Sequence, residues 1–158
     1  MGSGIAERYS LSGEYRGYPI AIYDHFRGRG RGKRIWTSLT LEATFAGKRE
    51  FLIESPLTKD EARFNGGAKD LILRGEAGPF RIRCLDENSD AGFAGALGAE
   101  RLAVFEGPGA FRLSKGFFEY REKDRLVDES MRLRFQEALL ILAEMADRVS
   151  EYIGSSES

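Results

Sequence analysis

The protein has 158 residues, with 24 Lys or Arg, 25 Asp or Glu and 1 His, so its formal net charge at pH 7 is -1. This length corresponds to one domain, and a composition that is 42% hydrophobic and 31% charged excludes a wholly disordered or collagen-like protein. The single cysteine, Cys84, excludes an internal disulfide and a CxxC metal site, and the single histidine, His25, excludes a His-rich metal centre. The balanced charge favours no class of partner.

The sequence shows none of the usual membrane-targeting signals. Residues 1–6 have no apolar stretch of the signal-peptide kind, and Ala6 stands where a myristoylation signal needs Ser or Thr. The longest apolar run, 138–143, is far shorter than the roughly 20 residues that span a bilayer. We therefore expect a soluble, cytoplasmic protein without a transmembrane segment.

Three strands are predicted in the first third of the sequence. Residues 14–26 and 35–46 alternate between two faces, and the second segment has the pattern of a half-buried antiparallel strand. In that segment Trp36 lies on the more polar face. A turn at Gly47–Lys48 leads into a third strand at 50–54.

The middle of the sequence is predicted to contain short elements. A capping-box pattern favours a helix near 58–65, and mixed apolar spacing favours small helices near 88–106. Short strands are expected at 71–74 and 80–85.

A hairpin and a long helix are predicted in the last third of the sequence. Residues 110–114 and 117–121 form two strands, because Lys115–Gly116 suits a two-residue loop. Residues 129–153 contain no Gly or Pro and have apolar residues at alternating spacings of 4 and 3, which indicates an amphipathic helix. The stripe consists of Met131, Phe135, Ala138, Leu142, Met145, Val149 and Tyr152.

The ends of this helix and the role of its stripe are also predicted. Asp128 is expected to cap the helix, and Gly154 is expected to end it. The stripe is expected to pack on the domain's own sheet, with a homodimer through the C-terminal helix as the alternative.

Together these elements predict an α+β fold: a mainly antiparallel sheet of about seven strands covered by the long C-terminal helix. Pleckstrin-like and helix-grip-like arrangements both fit this order of elements. The predicted organisation is a disordered N-terminus over 1–8, one α+β domain over 9–153 and a flexible tail over 154–158.

The most distinctive segment is Arg27–Arg34, in which five of eight residues are basic and Gly separates the first four basic residues. Guanidinium groups bind carboxylate and phosphate in a fork, and glycine lets a backbone follow a flexible partner. The segment joins two predicted strands, so we expect a hairpin loop that is solvated or that binds a protein, nucleic acid, another polyanion or anionic lipid headgroups. The candidate binding residues are Arg27, Arg29, Arg31, Lys33, Arg34 and Trp36, the last as a stacking surface.

The sequence lacks the common cofactor and metal motifs. Arg34 stands where a Walker loop needs Ser or Thr, and Gly92–Gly98 has the spacing GxxGxxG rather than GxGxxG. Residues 86–97 lack the Gly and the final Glu of an EF-hand loop. We expect no cofactor and no metal.

The sequence names no catalytic residue. Asp24 and His25 adjoin the basic segment, but a lone histidine at the end of a strand is more often a packing or surface residue. Cys84 lies in apolar company, where a thiol usually packs as a small hydrophobe. We therefore expect a protein that is not an enzyme.

Several strings of residues resemble a loose group of uncharacterised bacterial and archaeal proteins. Gly13–Pro19 matches an opening G-x-Y-R-G-x-P/V strand, Phe80–Asp86 matches a mid-sequence F-x-[IV]-x-x-x-D segment, and a hairpin then precedes the last helix. The resemblance implies one α+β domain and assigns no activity and no catalytic residue.

The function expected from the sequence is a non-catalytic interaction module that binds a protein or an anionic surface through the basic Gly/Arg loop. RNA or DNA binding by the same loop is one alternative. A small-ligand carrier or enzyme with a pocket between sheet and helix is the second.

Overall fold

Seven strands, a short 3-10 turn and one long helix make up the described part of the molecule. The computed structural model describes residues 10–27, 34–54, 57, 81–84, 105, 107–123 and 128–156. The strands are β1 (Ser10–Tyr15), β2 (Tyr18–Arg27), β3 (Arg34–Glu42), β4 (Phe51–Glu54), β5 (Arg81–Cys84), β6 (Ala110–Ser114) and β7 (Phe117–Lys123). The 3-10 turn covers Thr44–Ala46, and the helix, α1, spans Glu129–Ser156.

The strands form one antiparallel sheet in the order β1-β2-β3-β7-β6-β4-β5. Two hairpins, β2–β3 and β6–β7, lie side by side because β3 pairs with β7 at the centre of the sheet. The predicted α+β class with a mainly antiparallel sheet and a C-terminal helix is therefore confirmed.

Two tight turns connect neighbouring strands of the sheet. Lys115 and Gly116 both have positive φ, 53° and 80°, as a two-residue hairpin loop requires, which confirms the turn predicted there. Arg16 and Gly17 adopt the same conformation, with φ of 51° and 87°. The prediction of one strand over 14–26 is therefore wrong at its start, because this second turn separates β1 from β2.

Helix α1 packs its apolar stripe on one face of the sheet. The buried sheet residues are Leu39, Leu41, Phe51, Ile53, Phe111, Leu113, Phe118 and Tyr120, and the buried helix residues include Met131, Phe135, Ala138, Leu142, Met145, Ala146 and Val149. Burial of each Leu or Phe contributes about 2 kcal/mol, so this interface is the main source of stability in the described region.

The start of the helix agrees with the prediction, and its end does not. The backbone N–H of Met131 donates to Asp128 Oδ1 at 2.7 Å, which confirms Asp128 as the N-cap. The helix continues through Gly154 to Ser156, where the sequence predicted an end. Gly154 does not take the positive φ of a helix-ending glycine, so it adds to the helix instead of stopping it.

The more polar face of β3, which carries Trp36 and Ser38, is buried at these two positions, although the sequence predicted a half-buried strand. Trp36 and Ser38 on that face are buried, as are Thr37 and Leu39 on the helix-facing side. Strand β3 lies between β2 and β7, and His25 of β2 contacts both Trp36 and Ser38 on this face. The polar pattern of this face therefore does not indicate exposure.

Several predicted elements fall outside the described residues. These are the disordered N-terminus 1–8, the helix at 58–65, the strand at 71–74 and the helices at 88–106, of which only Phe105 is described. Phe105 lies in no helix, and its ring packs edge-on against Phe111 and Tyr120 at 5.5 and 5.4 Å. Within the described residues, no helix is both long and apolar enough to cross a membrane.

Candidate functional site

The basic segment runs from the last residue of β2 to the first residue of β3. Arg27 and Arg34 are Cα partners in the last position of the ladder, and residues 28–33 connect them. Arg29, Arg31 and Lys33 belong to this connection and lie outside the described residues, as do the side chains of Arg27 and Arg34. The register therefore brings two of the six predicted binding residues directly opposite each other.

Trp36, the sixth predicted residue, lies two positions along β3 from Arg34 and is not presented to solvent. It pairs with His25 across the hairpin, and the two rings stack with centroids 6.2 Å apart and planes 20° apart. Only 7% of Trp36 is exposed. The indole ring therefore packs against His25 of the neighbouring strand and has little exposed surface on which a base could stack.

Asp24 and His25, neighbours in sequence, belong to different hydrogen-bonded pairs on opposite faces of β2. The carboxylate of Asp24 accepts a hydrogen bond from Thr37 Oγ1 at 2.9 Å, whereas His25 Nε2 lies 2.9 Å from Ser38 Oγ. Because successive side chains of a strand point to opposite faces, the sheet separates the carboxylate from the imidazole. These two residues do not form the orienter and base of a catalytic triad.

A buried polar cluster, which the sequence did not reveal, joins the sheet to the helix. The guanidinium of Arg134 on α1 donates to both carboxylate oxygens of Glu122 on β7, and Tyr120 donates its hydroxyl proton to the same carboxylate at 2.5 Å. The backbone N–H of Gly109 donates to the Tyr120 hydroxyl at 3.2 Å. These contacts satisfy the buried groups and orient the first turns of the helix.

The environment of this cluster shifts two pKa values. Burial, followed by the nearby Glu122 carboxylate, raises the pKa of Tyr120 above its ordinary value. The hydrogen bond to Glu122 raises the pKa of Arg134. Both groups therefore remain protonated at neutral pH, and the cluster acts as a fixed ion pair with a neutral phenol beside it.

A polar groove lies on the face of the sheet that does not carry α1. Its volume is about 440 Å³, and it crosses four neighbouring strands, β2, β3, β7 and β6. Its lining includes seven described residues: Tyr23, Thr40, Arg112, Ser114, Lys115, Phe117 and Glu119. Arg112 and Glu119, Cα partners on β6 and β7, form an ion pair at 2.6 Å within it.

The sequence did not single out this groove, because its residues come from four strands and are far apart in the sequence. Their alternation in the strands was visible, but the order of those strands was not. Across the described segments, no group of three or more His, Cys, Asp or Glu residues is placed to hold a metal ion.

Comparison with known proteins adds no relative from which a function could be transferred. No family model matches the sequence, and no curated protein or solved structure is significantly similar to it. The chemistry of the hairpin end and of the groove is therefore the basis for a functional assignment.

Proposed function

We propose that the protein is a non-catalytic interaction module that binds a protein or another anionic surface through the basic segment Arg27–Arg34. The observation that carries the proposal is the pairing of Arg27 with Arg34 at the end of the β2–β3 ladder. This pairing fixes both ends of the basic segment on adjacent, paired strands, and residues 28–33 connect them in the sequence.

The charge of this segment is local rather than global. The whole protein has a net charge of -1, yet five basic residues fall within eight positions of the hairpin end. Clustered like charges raise the local potential, attract anionic surfaces and accelerate association. Among anionic partners we favour the acidic surface of a protein, since carboxylates bind guanidinium groups in a fork.

RNA or DNA binding by the same loop is the alternative that a binding experiment must distinguish from protein binding. Proteins that bind single strands without sequence preference combine basic grooves with aromatic rings on which bases stack. Trp36, the aromatic residue proposed for this role, is buried against His25. This arrangement supports contacts by charge more than contacts by stacking.

The second alternative, a carrier or enzyme with a pocket between sheet and helix, gains no support from the described interface. There the residues of both layers belong to one continuous buried cluster. We retain no catalytic residue and no cofactor in the proposal.

Further proposals concern the location, the family, the fold arrangement and the oligomeric state of the protein. We place the protein in the cytoplasm and in the group of uncharacterised bacterial and archaeal proteins that its strand motifs resemble, with a pleckstrin-like or helix-grip-like arrangement. A homodimer through α1 would have to use the outer side of the helix, where Leu133 is 55% exposed, because the apolar stripe is already buried against the sheet.

The proposal is tested by fluorescence anisotropy with three labelled probes: polyglutamate, single-stranded RNA and single-stranded DNA. The loop variant replaces Arg27, Arg29, Arg31 and Arg34 by Gln. A control variant removes the same charge elsewhere by replacing Arg16, Lys48, Arg132 and Arg148, all exposed, by Gln. Polyglutamate should bind at low salt, dissociate at high salt, fail to bind the loop variant and still bind the control variant.

Three outcomes would overturn the proposal. The first is the absence of polyglutamate binding at low salt. The second is equal binding by the loop variant and the wild type. The third is binding of RNA or DNA without binding of polyglutamate, which would establish the nucleic-acid alternative instead.

A further inference from the structure

The groove on the sheet face opposite α1 combines an ion pair, hydroxyl groups and an exposed aromatic ring. Its volume of about 440 Å³ lies in the range of roughly 300 to 1,000 Å³ that small-molecule sites occupy. It is built on strands, so its polar groups are held by the register of the sheet rather than by a loop.

The Arg112–Glu119 pair is the polar centre of the groove. The Glu119 side chain is only 7% exposed, and Arg112 Nη2 donates to its Oε1 at 2.6 Å. Among the described residues, none donates a hydrogen bond to Glu119 Oε2. The groove therefore presents a carboxylate acceptor beside a guanidinium donor.

Hydroxyl groups and one ammonium group surround this pair. Thr40 is the Cα partner of Glu119 on β3, and its hydroxyl makes no side-chain hydrogen bond with any described residue. Ser114 donates to Glu50 at 3.2 Å and still has acceptor capacity. Lys115 and Tyr23 are the other polar residues in the described lining.

Phe117 supplies an apolar wall. It lines the groove and is 41% exposed, which is unusual for a phenylalanine in a sheet. An exposed ring beside polar groups suits a ligand with one apolar surface and a polar edge.

We propose that this groove binds a neutral polyhydroxylated ligand of the size of a monosaccharide or disaccharide. Each hydroxyl of such a ligand both donates and accepts, so neighbouring hydroxyls can donate to Glu119 Oε2 and accept from Arg112. The C–H surface of a sugar ring packs on Phe117. Thr40 and Ser114 add hydroxyl contacts at the edge.

The charges of the groove favour a neutral ligand over an ion. The buried carboxylate of Glu119 repels an anion, and Arg112 and Lys115 repel a cation. A neutral polyol avoids both penalties. None of the described lining residues belongs to the basic segment, so the inference neither rests on the proposed function nor shares its test.

The test is titration of the isotope-labelled protein with glucose, galactose, mannose and sucrose at millimolar concentrations, monitored by amide chemical shifts. Inorganic phosphate is titrated in parallel as the anion probe. At least one sugar should shift the amides of Thr40, Ser114, Phe117 and Glu119 in a saturable way, whereas phosphate should not.

Three variants make the assignment specific. Phe117→Ser and Thr40→Val should each weaken sugar binding by about tenfold. Phe45→Ser is the matched control, because Phe45 is 38% exposed and does not line the groove. Binding should be unchanged in this control, and the spectra of all three variants report directly whether each remains folded.

The proposal is overturned if none of the sugars shifts the groove amides, or if phosphate shifts them and the sugars do not. It is also overturned if a folded Phe117→Ser variant binds sugar as tightly as the Phe45→Ser control.

Discussion

Arg134 on the helix and Glu122 on the central strand β7 form a two-point ion pair. Arg134 Nε donates to Glu122 Oε2 at 2.9 Å, and Nη2 donates to Oε1 at 2.7 Å. The Glu122 side chain is 3% exposed, whereas the Arg134 side chain is 30% exposed. A carboxylate this deeply buried is tolerated because the guanidinium and the Tyr120 hydroxyl satisfy it.

Breaking this pair from the arginine side should be strongly destabilising. Arg134→Gln leaves a buried carboxylate without its cation, and we expect the free energy of unfolding to fall by about 3 kcal/mol. Urea denaturation followed by circular dichroism measures the change. Arg132→Gln is the control, since Arg132 and Glu129 are both exposed and 3.8 Å apart, and it should cost about 0.5 kcal/mol or less. Equal losses in both variants would contradict this account of the pair.

The stability of the protein should fall in alkaline solution because of Tyr18. Burial, and then the hydrogen bond to Asp147, raise the pKa of Tyr18 from 10.0 to about 12. Between these values the unfolded state has lost the phenolic proton while the folded state retains it. The unfolded state therefore binds fewer protons, and the free energy of unfolding decreases as pH rises from 10 to about 12.

Two variants test this linkage. Tyr18→Phe should flatten the decrease in stability over that range, and Asp147→Asn should lower the pKa of Tyr18 only in part, because burial remains its first cause. Tyrosinate absorbance and urea denaturation across the pH range provide the two readouts. A Tyr18→Phe variant with the same alkaline loss of stability as the wild type would show that Tyr18 is not the group concerned.

Gly109 should not tolerate substitution by a larger residue. An added Cβ would collide with the backbone oxygen of Arg121 and would lie 2.6 Å from two atoms of the Tyr120 ring. Gly109→Ala should therefore cost about 3 kcal/mol in the free energy of unfolding. Gly13→Ala on β1 is the matched control, because an added Cβ there meets no described atom within 4 Å. Urea denaturation that gives the two variants equal stability would refute the close approach at Gly109.

Trp36 is the only tryptophan, so its fluorescence reports one site. Its burial against His25 predicts the short-wavelength emission of a shielded indole and weak quenching by acrylamide. Because we assign binding to charge and not to stacking, polyglutamate should leave this emission almost unchanged. Emission of a solvent-exposed indole, or strong quenching on adding single-stranded RNA, would support stacking on Trp36 instead.

The sequence predicts those parts of the fold that depend on local pattern. The stripe of α1, its cap at Asp128 and the turn at Lys115–Gly116 follow from spacing, a capping residue and a glycine with positive φ. The turn at Arg16–Gly17 carries the same X-Gly signal. The sequence did not reveal this turn, because Ser10–Tyr15 contains only two apolar residues, Leu11 and Tyr15, too few to predict β1 as a separate strand.

The parts that depend on which strands are neighbours could not be predicted in this way. Trp36 belongs to a polar pattern, and its stacking on His25 requires the pairing of β2 with β3. The Arg134–Glu122 pair and the groove around Glu119 likewise need the order of the sheet and the docking of the helix. The basic segment is evident from composition alone, whereas its place at a hairpin end requires the register of Arg27 with Arg34.

The most direct measurement of the central claim is the position at which an anionic probe binds. Three glycines, Gly28, Gly30 and Gly32, alternate with the basic residues of the hairpin end, and glycine amides give well-separated NMR signals. Titration with polyglutamate at low salt should shift these three amides saturably, together with those of Arg27 and Arg34, and added salt should reverse the shifts. Saturable shifts elsewhere in the protein with these five amides unmoved, or no shifts at all, would contradict the assignment of the hairpin loop as the binding site.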